Sequence, residues 1–188
     1  MYNLMIVGVG GQGTLLASRL LGYIMTEEGL DVKVSEVHGM SQRGGSVVTY
    51  VKAGTKVNSP IITEGEADII LAFEQLEAAR FIKYLKKQGK IILNTQKIMP
   101  MPVVTGNAKY PEDVIEKLNS TDAEIITLDA LSLANQAGSS KAVNVVLIGV
   151  LAKNTDIAKE KWIDAIKATV PPKFLEMNLK AFELGYNQ

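Results

Sequence analysis

The 188-residue chain contains no cysteine, one histidine and one tryptophan. Without cysteine it can form no disulfide, offer no thiolate nucleophile and ligate no zinc ion or iron–sulfur cluster through sulfur. One histidine rules out a multi-histidine metal site. An excess of one charge is also missing: 20 Lys and Arg face 20 Asp and Glu, so the formal net charge is zero. No broad basic field exists to hold nucleic acid. No apolar run approaches the roughly 20 residues of a membrane span, and the first residues lack the pattern of a signal peptide. These absences predict a cytoplasmic protein with neither a membrane nor a nucleic-acid partner.

Hydrophobic residues make up 47% of the chain, enough for the core of one sizeable α/β domain at this length. Residues 1–188 are read as a single domain. The stretch Met5-Ile6-Val7-Gly8-Val9-Gly10-Gly11-Gln12-Gly13-Thr14 organises the rest. Leu4 to Val7 read as a buried strand, and Leu15, Leu16, Ala17, Leu20 and Leu21 recur at helical spacing. Gly8, Gly10 and Gly13 give the spacing G-x-G-x-x-G between them. Glycine lets a ligand approach the backbone, and the helix beyond begins with unpaired N–H groups at its positive end. That combination suits a diphosphate, so Gly8, Gly10, Gly11, Gln12, Gly13 and Thr14 are candidate cofactor-binding residues. A tight turn that only packs helix on sheet is the competing reading. In dinucleotide-binding proteins an acid about twenty positions on takes the ribose; Glu36, near a strand end, is better placed for this than Asp31. NAD(P) binding is thereby permitted.

Further along, a helix is expected over Leu15–Glu28 and strands over Val32–Val37 and Val47–Val51, the latter antiparallel to a neighbour because the connection is too short for a helical crossover. Ala67–Phe73 reads as a buried strand, Glu74–Gln88 as a helix capped by Gly89, and Lys90–Asn94 as a strand. Met99–Thr105, with its two prolines, is expected to be extended at an edge. Helices follow from Pro111 to Leu118, from a cap at Asp129 to Ala137 with Gly138 as its stop, over Lys141–Lys153 and Lys159–Ala168, and over Lys173–Leu184, ending at Gly185; Ala123–Leu128 is a strand between the first two. The alternation implies a three-layer α/β/α fold with a mixed, mostly parallel sheet and a Rossmann-like first βαβ unit.

The densest polar chemistry is the loop His38-Gly39-Met40-Ser41-Gln42-Arg43-Gly44-Gly45-Ser46. His38, Gln42, Arg43 and Gly44 are candidates for contact with a partner or a ligand: an arginine can clamp a phosphate or carboxylate or dock on a protein. Glu36 is expected on the opposite strand face from His38, leaving the histidine without a carboxylate. Asn94, Thr95, Gln96 and Glu74 are read as caps and turns. Asn144 is read as a structural polar residue in an apolar helix, and Trp162 and Phe174 as core or docking aromatics. No nucleophile–base pair, paired carboxylates or metal cluster emerges, so no catalytic and no metal-binding residue is assigned.

Gly8-Val9-Gly10-Gly11-Gln12-Gly13 together with Glu36 through Val48 resembles the gamma-type module of 2-oxoacid:ferredoxin oxidoreductases. Ser59-Pro60, Glu66-Ala67-Asp68, Glu74, Glu77-Ala78, Arg80, Asn94-Thr95, Ala142 through Gly149, Asn178, Ala181-Phe182 and Gly185 extend the resemblance over nearly the whole chain. The run His38 to Gly45 favours the indolepyruvate branch, where this module is called the beta subunit. The resemblance implies an enzyme that oxidatively decarboxylates aryl 2-oxoacids to acyl-CoA and reduces ferredoxin. Thiamine diphosphate, magnesium and the iron–sulfur clusters would belong to the larger alpha subunit, and this chain, inactive alone, would contact that subunit and coenzyme A. Isolated, it could pair with itself. A gamma subunit acting on pyruvate, 2-oxoglutarate or 2-oxoisovalerate stays open, as does a stand-alone NAD(P)-binding enzyme.

Overall fold

A computed structural model describes residues 1–39 and 44–188. The chain runs β1 (Tyr2–Val9), α1 (Thr14–Glu27), β2 (Asp31–His38), β3 (Ser46–Gly54), β4 (Ala67–Ala72), α2 (Gln75–Phe81), β5 (Leu85–Asn94), α3 (Met101–Val104), α4 (Val114–Asn119), β6 (Glu124–Leu128), α5 (Ala130–Ala137), α6 (Val143–Lys153), α7 (Lys159–Thr169) and α8 (Leu175–Tyr186). Short 3₁₀ turns precede β5, α6 and α8.

The six strands form one sheet in the order β2-β3-β1-β4-β5-β6. β1, β4, β5 and β6 are mutually parallel, whereas β3 is antiparallel to both β1 and β2. β2 therefore runs with β1 but lies one strand away from it, because β3 is inserted between them. The expected mixed, mostly parallel sheet is present, and the first βαβ crossover spans an extra strand.

The two-residue period of a strand sorts the core into two layers. Leu4, Ile6, Val51, Leu71 and Ile92 face one side and pack with residues of α1, α5, α6, α7 and α8. Met5, Val7, Ile70, Ile91 and Leu93 face the other and pack with Ala78 of α2 and with Val114 and Leu118 of α4. Helix α6 is buried from Val143 through Ala152, as its unbroken apolar sequence requires.

Four expectations about elements need correction. The helix expected over Glu74–Gln88 stops at Phe81, and strand β5 begins at Leu85. There Ala67 pairs with Leu85 but Ile69 pairs with Lys90, so residues 86–89 bulge out of the ladder. Gln88 adopts φ 59° in that bulge, and Gly89 lies in the strand rather than capping a helix. Residues 101–104 form a helical turn with a proline in its first turn, where the missing N–H costs nothing. The helix expected to open at Pro111 begins at Val114. Gly185 does not end the last helix but lies inside α8, where a Cβ would sit 1.9 Å from the carbonyl oxygen of Val146 in α6. Gly149 of α6 answers it: a Cβ there would lie 2.2 Å from the carbonyl oxygen of Phe182. The two helices touch backbone to backbone at these glycines.

Candidate functional site

Helix α1 leaves β1 onto one face of the sheet, and α2 leaves β4 onto the other. β1 and β4 are adjacent, so the chain switches faces between them. In open α/β sheets the crevice outside the carboxyl ends of such a pair is where ligands bind. The glycine loop, residues 10–13, crosses that crevice.

Gly10 continues the β1–β3 ladder into the second glycine loop: its N–H donates to Gly45 O at 2.9 Å, and its carbonyl accepts from Gly44 N–H at 3.4 Å. The N–H of Gln12 donates to Val9 O at 3.2 Å, folding the loop into a turn in which Gly11 and Gly13 have φ of 101° and 81°. L-residues with a Cβ rarely adopt these angles. The N–H groups of Gly11, Gly13, Thr14 and Leu15 have no acceptor among the described residues. Their residues line a cleft beside the loop and belong to the loop and the first turn of α1, at the positive end of its dipole.

The loop is a ridge between two clefts. One, of about 440 Å³, lies between the loop, Leu15, Glu36, His38 and Val47. The other, of about 580 Å³, lies between the loop, Gln96, Leu131, Lys141 and Asn144. Glu36 and His38 thus share a face. The expectation that they point apart is wrong, because positions two apart on a strand project to the same side. Glu36 accepts from Thr49 Oγ1 at 3.1 Å, and His38 Nδ1 lies 3.2 Å from the carbonyl oxygen of Gly39.

The remaining expected site residues divide. Gly8 is buried beneath the loop, where a Cβ would lie 2.8 Å from Gln12 Oε1. Gly44 is drawn against Gly10, whereas Gln42 and Arg43 lie outside the described residues. Asn94 holds the sheet edge together, donating to Phe73 O at 3.1 Å and accepting from Ala130 N–H at 3.2 Å. Glu74 caps α2 by accepting from Glu77 N–H at 3.0 Å; it also accepts from Ile98 N–H and from the hydroxyl of Tyr110. Burial, and then the hydrogen bond to Glu74, raises the pKa of that hydroxyl. Glu77 accepts from Arg80 and from Ser46 at the start of β3, which fixes the exit of the second loop. Trp162 is fully buried and Phe174 exposed. The structure adds Lys141, Leu131 and Asn144 to the surroundings of the loop. Only Asn144, a lone amide in an apolar helix, carried a signal in the sequence.

A family model described as pyruvate ferredoxin/flavodoxin oxidoreductase matches residues 3–188. The chain belongs to this family. Within the family it is 45% identical to the indolepyruvate oxidoreductase subunit IorB of Thermococcus kodakarensis, over 98% of this chain and 94% of that one. It is 43% identical to the subunit of the same name from Archaeoglobus fulgidus, over 99% and 94%. The common gamma subunit of the pyruvate/ketoisovalerate oxidoreductases of Thermococcus kodakarensis is 28% identical over the whole chain and 97% of its own length. The fold recurs in the gamma subunit of a keto/oxoacid ferredoxin oxidoreductase from Geobacter sulfurreducens, with a TM-score of 0.77, 24% identity and coverage of 100% and 97%. It recurs again in 2-oxoglutarate:ferredoxin oxidoreductase from Magnetococcus marinus, solved with coenzyme A bound, with a TM-score of 0.74 and 16% identity. There it covers 99% of this chain but 30% of that one. The resemblance to gamma-type modules therefore holds over the full length, and these family relatives are subunits of larger oxidoreductases. No helix among the described residues is long and apolar enough to cross a membrane.

Proposed function

We propose that this chain is the beta (gamma-type) subunit of an indolepyruvate:ferredoxin oxidoreductase, a single cytoplasmic domain that assembles with a larger alpha subunit and seats the diphosphate of coenzyme A on its glycine loop. The observation that carries the reading is the row of N–H groups at Gly11, Gly13, Thr14 and Leu15, residues that line a cleft and whose N–H groups lack acceptors among the described residues. Such a row answers the oxygens of a diphosphate. Lys141 on one flank belongs to no ion pair among the described residues and suits the phosphates of the nucleotide end. The other flank carries Glu36, which repels phosphate and suits the uncharged pantetheine arm. The indolepyruvate branch is preferred over the pyruvate branch because identity is 43–45% with the former relatives and 28% with the latter.

The chain has no cysteine, so the residues present do not fit an iron–sulfur cluster. Among the described residues no group of three or more His, Asp or Glu could hold a metal ion. In this reading thiamine diphosphate, magnesium and the clusters belong to the alpha subunit, as the resemblance implies, with ferredoxin reached through the assembled enzyme. The chain's own part is to bind and to assemble. The loop at residues 38–46 is read as the docking segment, with His38, Gln42, Arg43 and Gly44 as its candidate contact residues.

The test is co-purification from native extract followed by coenzyme A titration of the complex. A thiamine- and cluster-containing partner and micromolar binding are expected. A chain that stays alone beside that partner, or a complex in which binding ignores changes to the loop, overturns the reading. One observation favours a stand-alone NAD(P) enzyme: Glu36 lies beside the loop, where a ribose-binding acid would. Titration with NADH separates the two, since micromolar binding by the lone chain is expected only of that alternative.

A further inference from the structure

Gln12 is the loop residue whose side chain turns inward. Its Oε1 accepts from Val9 N–H at 2.7 Å, and its Nε2 donates to Phe73 O at 3.0 Å and to Gln96 Oε1 at 3.2 Å. The amide thereby bridges the carboxyl end of β1 to the residue following β4, and reaches the residues that follow β5. Gln96 Oε1 also lies 3.4 Å from Asn94 Nδ2, and Asn94 ties the same network to the start of α5. The crevice offers an N–H on one wall and a carbonyl on the other. Only a side chain that both accepts and donates satisfies the two walls. A carboxylate lacks the donor, and an ammonium lacks the acceptor. The first glycine of the motif makes room for this amide, since a Cβ on Gly8 would meet Gln12 Oε1 at 2.8 Å.

We propose that Gln12 is a positioning residue. Clasped between Val9 and Phe73, its amide sets the glycine loop in the shape that turns the N–H groups of Gly11 and Gly13 outward to the diphosphate of coenzyme A. This rests on the coenzyme A reading above. Both polar ends of the side chain are engaged by the protein, so the residue acts through the backbone of its neighbours.

The experiment compares wild type, Gln12→Met and Gln12→Glu in the reconstituted complex, with Lys141→Ala as a reference for ligand contact. Losing the clasp removes hydrogen bonds worth about 2- to 10-fold each in an equilibrium. The dissociation constant and KM for coenzyme A are therefore expected to rise by about tenfold or more in both Gln12 variants. Turnover at saturating coenzyme A should stay within about twofold of wild type, because the chemistry is in the other subunit. Without any ligand, amide exchange at Val9 should accelerate in Gln12→Met while Leu4 to Val7 keep their protection. Wild-type affinity in both variants, with Lys141→Ala weakened, overturns the positioning role and leaves the coenzyme A reading standing. Unchanged exchange at Val9 also overturns it. A wild-type complex that binds no coenzyme A removes both.

Discussion

Asn144 and Gly13, 131 positions apart in sequence, meet where the Asn144 amide donates to the Gly13 carbonyl at 3.3 Å. The contact is close enough that a Cβ on Gly13 would lie 2.7 Å from Asn144 Nδ2. Helix α6 therefore holds the third glycine of the loop much as Gln12 fills the space left by the first. The G-x-G-x-x-G spacing here serves two internal amides as well as an external ligand.

Gly13→Ala is expected to destabilise the protein by about 2–4 kcal/mol, combining left-handed backbone strain of roughly 1–2 kcal/mol with the clash against Asn144. In the double variant with Asn144→Ala the clash is gone and the strain remains. Denaturant titration of both singles and the double should then give a coupling of at least about 0.5 kcal/mol. Strict additivity would mean that the amide is not what limits the site.

Gly185→Ala places a methyl group against the Val146 backbone, which cannot swing aside as a side chain could. A loss at the upper end for overpacking, about 3 kcal/mol, is expected, lowering the Tm by about 6–12 °C in a chain of this size. Gly22→Ala, in α1 with nothing within 4 Å of the new atom, should instead gain about 0.5–1 kcal/mol. Calorimetry on the pair checks both signs.

Gly138 and Gly185 explain why the sequence was readable in one place and not in another. Gly138 was recognisable as a helix stop because its reason is local: it follows Ala137 with φ 120°. The reason for Gly185 lies about forty residues away in α6, and no local pattern carries it. Residues 85–89 failed differently. Leu85-Lys86-Lys87-Gln88 has helix-forming composition, yet β4 is already in place to pair with β5 and takes the segment into the sheet through a bulge. The burial of β1 and β4 and the apolar α6 were legible from local hydrophobic runs, and the antiparallel β3 from a connection too short for a helical crossover. The glycine turn between β1 and α1 was legible from its spacing. The inward role of Gln12 was not, since it depends on Phe73 and Gln96 arriving at the same sheet edge.

Tyr110 donates to the buried carboxylate of Glu74, and Tyr110→Phe leaves that carboxylate one donor short. A cost of about 1–3 kcal/mol is expected near neutral pH. Burial and Glu74 raise the pKa of the tyrosine above its ordinary value of 10.0. The folded state thus holds this proton more tightly than the unfolded state does. Stability from this group is fully present below pH 10 and is lost as the pH climbs beyond it. The stability gap between wild type and Tyr110→Phe should stay level from pH 7 to about 9.5 and close above pH 10. A gap that widened there would contradict the assignment.

Asp129 caps α5 by accepting from Ser132 N–H at 3.0 Å. Its pKa is lowered, first by the Ser132 hydroxyl and then by the Ser132 N–H. Asp129→Ala should cost about 0.5–2 kcal/mol near neutral pH. For a carboxylate with a lowered pKa, the contribution is present above the ordinary value of 3.8 and fades as the pH falls through the folded one. Urea titrations should therefore show a larger difference at pH 7 than at pH 3, where the carboxyl loses charge but keeps an acceptor oxygen. Asp129→Asn, which keeps an acceptor and loses the charge, should retain most of the cap at both.

Lys141 tests the polarity proposed for the two clefts. It flanks the glycine loop from the 3₁₀ turn before α6, opposite the flank that carries Glu36. If the phosphates lie on its side, Lys141→Ala removes one exposed charge contact, worth about 1.5- to 5-fold in coenzyme A affinity at low salt. Because the lost contact is screened, the difference should shrink as ionic strength rises from about 0.01 to 1 M, where the Debye length falls from roughly 30 to 3 Å. Dephospho-coenzyme A, with one phosphate fewer, should feel the substitution less. Glu36→Gln should leave coenzyme A binding unchanged or slightly tighter, because it removes only a repulsive charge from the pantetheine flank. Isothermal titrations of the assembled complex at two salt concentrations read all of these at once. Stronger loss from Glu36→Gln than from Lys141→Ala would reverse the orientation, placing the nucleotide against the ribose-type acid.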